Sequence, residues 1–200
     1  MVMRTPHTHV PLPTAQAELR AAAQRPFADA VPIPPVLHHN EAFAEHERRQ
    51  LFSREWICVG RRDELSGHGR YLTFEVAGTA LFVIAQRDGS IKAFVNACAH
   101  RYARLLADDK GHKTRIVCPY HAWTYNLAGD LVAILDEQDF GEVDASCLGL
   151  TPLSVEERAG IIWGSITPNN ELHLDEFLAG YDEYLENHDL ENCYMVGQQT

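Results

Sequence analysis

The sequence predicts a mainly β protein: an antiparallel β-sandwich with a smaller ligand-holding subdomain, preceded by an N-terminal helix and followed by the start of an α+β domain. Three observations predict it. Short apolar runs recur from Trp56 to about Leu135 at the spacing of antiparallel strands. Two turn signatures, Arg87–Ser90 and Asn126–Asp130, separate neighbouring runs. Helical periodicity is confined to the two ends of the chain.

Element by element, Ala15 to Ala23 reads as a short helix. Pro32, Pro34 and Pro35 then hold the chain extended, because the residue before each proline is pushed out of the helical region. Asn40 is an N-cap for a helix near 41–53, with Phe43, Leu51 and Phe52 inward. Leu72, Phe74 and Val76 alternate with Thr73 and Glu75, the pattern of a half-buried strand. Leu81–Ala85 and Ile91–Val95 are apolar strands on either side of the first turn. Thr114–Cys118, Trp123–Tyr125 and Leu131–Ile134 continue the β pattern, the last two flanking the second turn. Ala159–Ile166 reads as a buried strand. Leu174, Phe177, Leu178, Tyr181 and Leu185 give an amphipathic helix over 172–187, and Cys193–Val196 resembles the start of a further strand. The expected divisions are an arm over 1–39, the β domain over 40–150 and the beginning of a following domain over 151–200.

Composition sets limits on function. The 200 residues are 46% apolar and 22% charged, an ordinary globular balance. The net charge of −11 provides no basic field for nucleic acid or an anionic membrane surface. No run of 18 apolar residues exists to span a bilayer, and Met1 to Leu12 lacks the apolar core of a secretory signal. The five cysteines, an odd count without a signal, point to a reducing, cytoplasmic setting in which thiols bind metal or sit buried.

The chemistry lies in two short motifs. Cys98-Ala99-His100 is followed after 17 residues by Cys118-Pro119-Tyr120-His121, giving C-x-H-x17-C-x2-H. A Rieske-type [2Fe–2S] rhomb has two cysteines on one iron and two histidines on the other. Each loop must then supply one thiolate and one imidazole, which these mixed pairs do. A structural zinc site also uses Cys2His2, usually as paired cysteines followed by paired histidines. Zinc stays an alternative on the residues alone.

The surrounding residues carry a family resemblance. Asn96-Ala97-Cys98-Ala99-His100-Arg101, Cys118-Pro119-Tyr120-His121-Ala122-Trp123-Thr124-Tyr125 and Gly129-Asp130-Leu131 resemble the Rieske domain of the large (α) subunit of Rieske non-haem iron oxygenases. Leu51–Trp56 upstream, and Gly149–Leu153 and Gly160–Trp163 downstream, agree with it. The likeness covers about residues 40–190.

The resemblance implies a Rieske-type sandwich in which Cys98, His100, Cys118 and His121 hold the cluster; Arg101, Trp123 and Tyr125 are the candidates to stand beside it. It implies a ferredoxin or flavin reductase as electron donor, a homotrimer, and O2-dependent hydroxylation or demethylation of a small molecule by a mono- or dioxygenase. The family's mononuclear Fe(II) motif, D/E-x2-H-x4-H, has no match here; that iron is expected in a further part of the protein or in a partner. The family usually has glycine where Tyr102 stands, so the loop at Tyr102 is expected to be tight. Respiratory Rieske proteins carry an extra cysteine in each loop; Tyr120 occupies that place here. The expectation is no loop disulfide and a potential of roughly −150 to 0 mV.

A stand-alone Rieske electron carrier is the other reading, although about 40 residues before the β domain and about 60 after it exceed what a carrier needs. Trp123 and Tyr125 also read as core aromatics, and Arg101 as a solvated charge. Cys58, Cys147 and Cys193 read as buried small apolar groups, Trp56 and Trp163 as core, and His7 and His9 as solvated on a tail. The acidic stretch 182–191 reads as a solvated face.

Overall fold

Asn40 closes the first turn of its helix as its residue type dictates: its Oδ1 accepts from the Phe43 N–H at 2.9 Å. The computed structural model describes residues 11–33, 35–168, 173–194 and 196–197; His7 and His9 lie outside them. The chain divides into two compact units, 1–51 and 52–200. In the first, α1 (Leu12–Ala23) and α2 (Glu41–Glu47) enclose a small core of Ala15, Leu37 and Phe43.

The expected helix over 41–53 ends early. Beyond α2 the chain widens into a π-type turn, Arg48–Phe52. The wider turn rotates the apolar stripe outward, so Leu51 and Phe52 are exposed rather than inward.

Among the described residues the second unit has eleven strands. They are β1 (Ile57–Arg61), β2 (Arg70–Val76), β3 (Thr79–Ala85), β4 (Ile91–Val95), β5 (Lys110–His112), β6 (Ile116–Val117), β7 (Thr124–Tyr125), β8 (Leu131–Ala133), β9 (Pro152–Leu153), β10 (Val155–Arg158) and β11 (Ile161–Gly164). They form three antiparallel sheets in the orders β5-β2-β3-β4-β9, β1-β11-β10 and β6-β7-β8. The expected β-sandwich with its subdomain is this arrangement.

Strand β3 shows why. Its run Leu81-Phe82-Val83-Ile84-Ala85 is buried on both faces. Phe82 and Ile84 face one core, shared with Phe94, Cys98, Cys118, Trp123 and Tyr125. Leu81, Val83 and Ala85 face another, shared with Leu65, Leu72, Ala93, Leu153 and Ile162. A continuous apolar run satisfies both faces; strict alternation would leave one polar. The β6-β7-β8 sheet thus sits on one side of β3 and carries the second motif loop between β6 and β7, while the first motif loop follows β4 of the five-stranded sheet.

The two expected turns form. Gln86 N–H bonds the Ser90 carbonyl at 2.8 Å, and Asn126 N–H the Asp130 carbonyl at 2.9 Å. Gly129 is irreplaceable in the second: its φ is +96°, and a Cβ there would lie 2.4 Å from the Phe94 ring.

Further differences from expectation gather after Gly164. The helix over 172–187 is two short helices, α3 (Leu174–Leu178) and α4 (Tyr181–Glu186). Ala179 and Gly180 between them both have positive φ, which terminates α3. Leu174 and Leu178 are buried with Trp56, and Trp163 and Phe177 pack on them; past the break Tyr181 points to solvent. Arg158 ties the two helices to β10 through Asp175 (2.7 Å) and Asp182 (2.9 Å), so the acidic stretch is solvated except at Asp182. Residues 193, 194 and 196 carry no strand. Cys58, Cys147 and Cys193 are exposed, not buried, because Cys58 lies on the edge strand β1 and the other two in turns.

Candidate metal centre

The two motif loops differ in spacing but share one backbone solution. The Cys98 carbonyl accepts from the Tyr102 N–H (2.8 Å), and the Cys98 N–H donates to the Ala103 carbonyl (2.9 Å). The Cys118 carbonyl accepts from the Ala122 N–H (3.0 Å), and the Cys118 N–H donates to the Trp123 carbonyl (2.8 Å). In each loop the fourth residue after the cysteine is left-handed: Tyr102 at φ 55° and Ala122 at φ 56°.

That conformation costs a non-glycine residue about 1 kcal/mol. It explains why glycine suits the Tyr102 position, and the tight loop expected there is present. Tyr102 is 81% exposed, so its ring has little burial to lose. Tyr102→Gly is therefore expected to stabilise the protein by about 0.5–1 kcal/mol in urea unfolding. A destabilisation would mean the ring is held by contacts beyond these.

Within the loops the side chains sort into two pairs. Cys98 and Cys118 are buried, 1% and 3% exposed, with their thiols acting on each other. The half-buried His100 and His121 rings lie 4.8 Å apart. Trp123, 4% exposed, stacks parallel on His100 at 4.8 Å and 9°. Phe140 meets His100 edge-on at 5.7 Å and 78°, and the Tyr120 ring lies 3.7 Å from His121. Arg101 is exposed at the loop surface.

Three features test whether a metal group fits. His121 Nδ1 is buried and has no hydrogen-bond partner among the described residues. Such an atom is costly unless a ligand takes it. Burial, followed by the charges of His121 and Arg101, lowers the His100 pKa, which favours the neutral, metal-binding imidazole. The donors pair by type, thiol with thiol and imidazole with imidazole, which is the set that a two-iron rhomb takes with one pair on each iron. The residues fit a [2Fe–2S] cluster.

The surroundings hold the pairs in place. Asn96, 2% exposed, pins the first loop: Nδ2 donates to the Leu106 carbonyl (2.8 Å), and Oδ1 accepts from the Leu105 (3.1 Å) and Leu106 (2.9 Å) N–H groups. The Tyr125 hydroxyl oxygen accepts from the Ala99 N–H at 3.1 Å and lies 3.1 Å from Cys98 Sγ. With its acceptor side engaged, its proton is free to point at the sulfur. Burial pushes the Cys98 thiol up, with the Tyr125 contact opposing, and iron binding would expel that proton.

A family model described as a Rieske [2Fe-2S] domain matches residues 55–143. Those residues are a Rieske domain. It is 33% identical over 168 residues to the glycine betaine monooxygenase oxygenase subunit of Pseudomonas aeruginosa, covering 84% of this chain and 39% of that one. A quaternary ammonium Rieske monooxygenase solved with L-carnitine superposes at a TM-score of 0.68 with 33% identity, covering 74% of this chain and 42% of the other. Naphthalene 1,2-dioxygenase from Rhodococcus sp. superposes at 0.75 with 26% identity, covering 87% and 39%. The homologues are oxygenase subunits, hence oxidoreductases. The chain spans about two fifths of the length of the curated relatives it matches. No helix among the described residues is long and apolar enough to cross a membrane.

In this Rieske domain the Tyr125 hydroxyl would favour the electron-rich state of Cys98, raising the potential. Tyr125→Phe removes about 1 kcal/mol of that preference, so the midpoint is expected to fall by about 40 mV in a redox titration. An unmoved midpoint would show that the hydroxyl does not donate to the sulfur. Sequence reading placed Tyr125 beside the centre but missed Asn96 as the pin, and Phe140 and Tyr120 as ring neighbours. Asn96 and Tyr120 stood inside the motifs; Phe140 had no signal.

Proposed function

We propose that Cys98 and Cys118 hold one iron of a [2Fe–2S] cluster and His100 and His121 the other, in the electron-relay portion of an oxygenase subunit. The observation that carries this is the unpartnered, buried His121 Nδ1 beside His100, next to a buried pair of thiols. When bound, the cluster supplies one-electron transfer between a donor protein and an O2-activating iron.

The chain's own residues prepare that exchange. The cysteines sit at the buried end, within reach of the Tyr125 hydroxyl. The half-buried histidines form the outer end, where a partner can approach. Trp123 covers the face of His100, and Arg101 sets a positive charge beside it. A ferredoxin or flavin reductase is the proposed donor. The mononuclear Fe(II) belongs to a part of the protein outside these 200 residues or to a partner, with a cytoplasmic homotrimer as the assembly that the resemblance implies. Residues 40–150 are the proposed Rieske domain and 151–200 the beginning of the catalytic domain.

The relatives named for glycine betaine and carnitine monooxygenases favour a quaternary ammonium substrate. The test is O2 uptake by the full-length protein with its donor. Glycine betaine or carnitine is expected to stimulate uptake, and naphthalene or biphenyl is not. Stimulation by the hydrocarbons alone would replace the substrate reading. No uptake with any substrate, from a protein that still cycles electrons, would favour a stand-alone carrier.

A further inference from the structure

Phe140 lies in a segment that does little for the core. Of residues 135–147 only Val143 is not exposed. The backbone bonds of Asp139 to Asp136 and of Cys147 to Asp144 are local. Yet the segment delivers one large aromatic ring to the centre. The turn Glu137–Phe140 is flanked by left-handed Asp136 (φ 55°) and Gly141 (φ 71°). Phe140 meets His100 at 5.7 Å and 78°, and Trp123 at 6.0 Å and 70°. The His100 ring thus has Trp123 parallel to its face and Phe140 edge-on to it.

We propose that Phe140 is a positioning residue of the iron–sulfur centre: it holds the plane of the His100 imidazole with Trp123 and closes the histidine end to water. The inference rests on the cluster reading above. Phe140 is 40% exposed and belongs to neither main core, so folding alone gives weak reason for its placement. An apolar wall beside a ligand ring controls solvent access, and with it the potential. Reduction adds a negative charge to the centre, and water stabilises that charge better than an aromatic ring does. Removing the wall therefore favours the reduced state.

The segment also carries Asp136, Glu137, Asp139, Glu142 and Asp144. Displacing these carboxylates would push the potential in the same direction. Salt separates the two causes, because it screens exposed charges and leaves the loss of an apolar wall in place.

The test uses the protein purified with its cluster, as Phe140→Ala, Phe140→Leu and Phe140→Tyr. Phe140→Ala is expected to shift the reduction equilibrium about threefold to tenfold toward the reduced form, equally at low and high salt. Its reduced EPR lines are expected to broaden as the His100 plane loosens. Phe140→Tyr, which keeps the ring, is expected to retain the parent values. Phe140→Leu covers the case in which the alanine variant does not hold iron, and is expected to shift in the same direction by less. Parent potential and linewidth in the loaded alanine or leucine variant overturn the inference while leaving the cluster reading intact. A shift that vanishes at high salt also overturns it, in favour of the carboxylates. A parent protein without iron overturns the cluster reading and this inference together.

Discussion

The His121→Ala protein is expected to purify colourless, with its iron content reduced from about two per chain to near none. In the proposed site each loop supplies one thiolate and one imidazole, so losing one ring would remove half the protein ligands of one iron. Among the described residues His121 Nδ1 is one of three buried side-chain atoms without a hydrogen-bond partner, the others being the indole nitrogens of Trp123 and Trp163, and of the three only the imidazole nitrogen can accept a metal. The free energy of cluster binding is also folding free energy for the two loops. Their backbones are closed by only two hydrogen bonds each, and each contains a left-handed non-glycine residue. The loops are therefore expected to loosen in the variant, while β2, β3 and β4 persist on their second core of Leu72, Leu81, Val83 and Ala93. Iron and sulfide analysis with far-UV circular dichroism separates the two effects. A variant that keeps two irons would show that His121 is not a ligand.

Asn96→Ala is expected to destabilise the protein by about 3–5 kcal/mol in urea unfolding. The Asn96 side chain makes three bonds to backbone groups of Leu105 and Leu106. Alanine would leave two N–H groups and one carbonyl without partners beside two buried leucines, at about 1–3 kcal/mol each. It would also release the span from Cys98 to Leu106, and faster loss of iron to a chelator is expected to accompany the fall in stability. Asn96→Asp keeps the acceptor but loses the donor and buries a charge, so it is not expected to rescue. A loss below about 1 kcal/mol would mean that water takes over the three bonds.

Most of the sandwich was legible because its signals are local. The run Leu81–Ala85 is apolar on both faces and is buried on both. The Arg87–Ser90 and Asn126–Asp130 turns contain the Asp, Asn and Gly residues that those conformations require. The β2–β3 turn was silent, since Ala77 supplies one of its two positive-φ positions in place of Asn or Asp. The π turn after α2 and the break at Ala179–Gly180 were missed for another reason: apolar spacing is blind to a local change of helical pitch. The exposed Cys58 depends on β1 being an edge strand, a property of sheet order that no local pattern encodes.

At the centre, the alternation of Cys and His singled out the four side chains that the fold gathers as a thiol pair and an imidazole pair, with Trp123 stacked on His100. The supporting contacts were harder to read, because they join residues distant in sequence. Phe140 reaches His100 from 40 positions away, and Tyr125 meets Cys98 across 27. A tight loop at Tyr102 was anticipated, whereas its left-handed conformation and the twin at Ala122 emerged only from the structure of the two loops.

Iron and acid-labile sulfide analysis of the purified protein, joined to EPR after one-electron reduction, decides whether these four side chains hold a Rieske cluster. The account predicts about two irons and two sulfides per chain, a red-brown oxidised protein and a paramagnetic signal that appears only on reduction. A colourless protein with one zinc per chain would contradict it and make the four residues a structural Cys2His2 site.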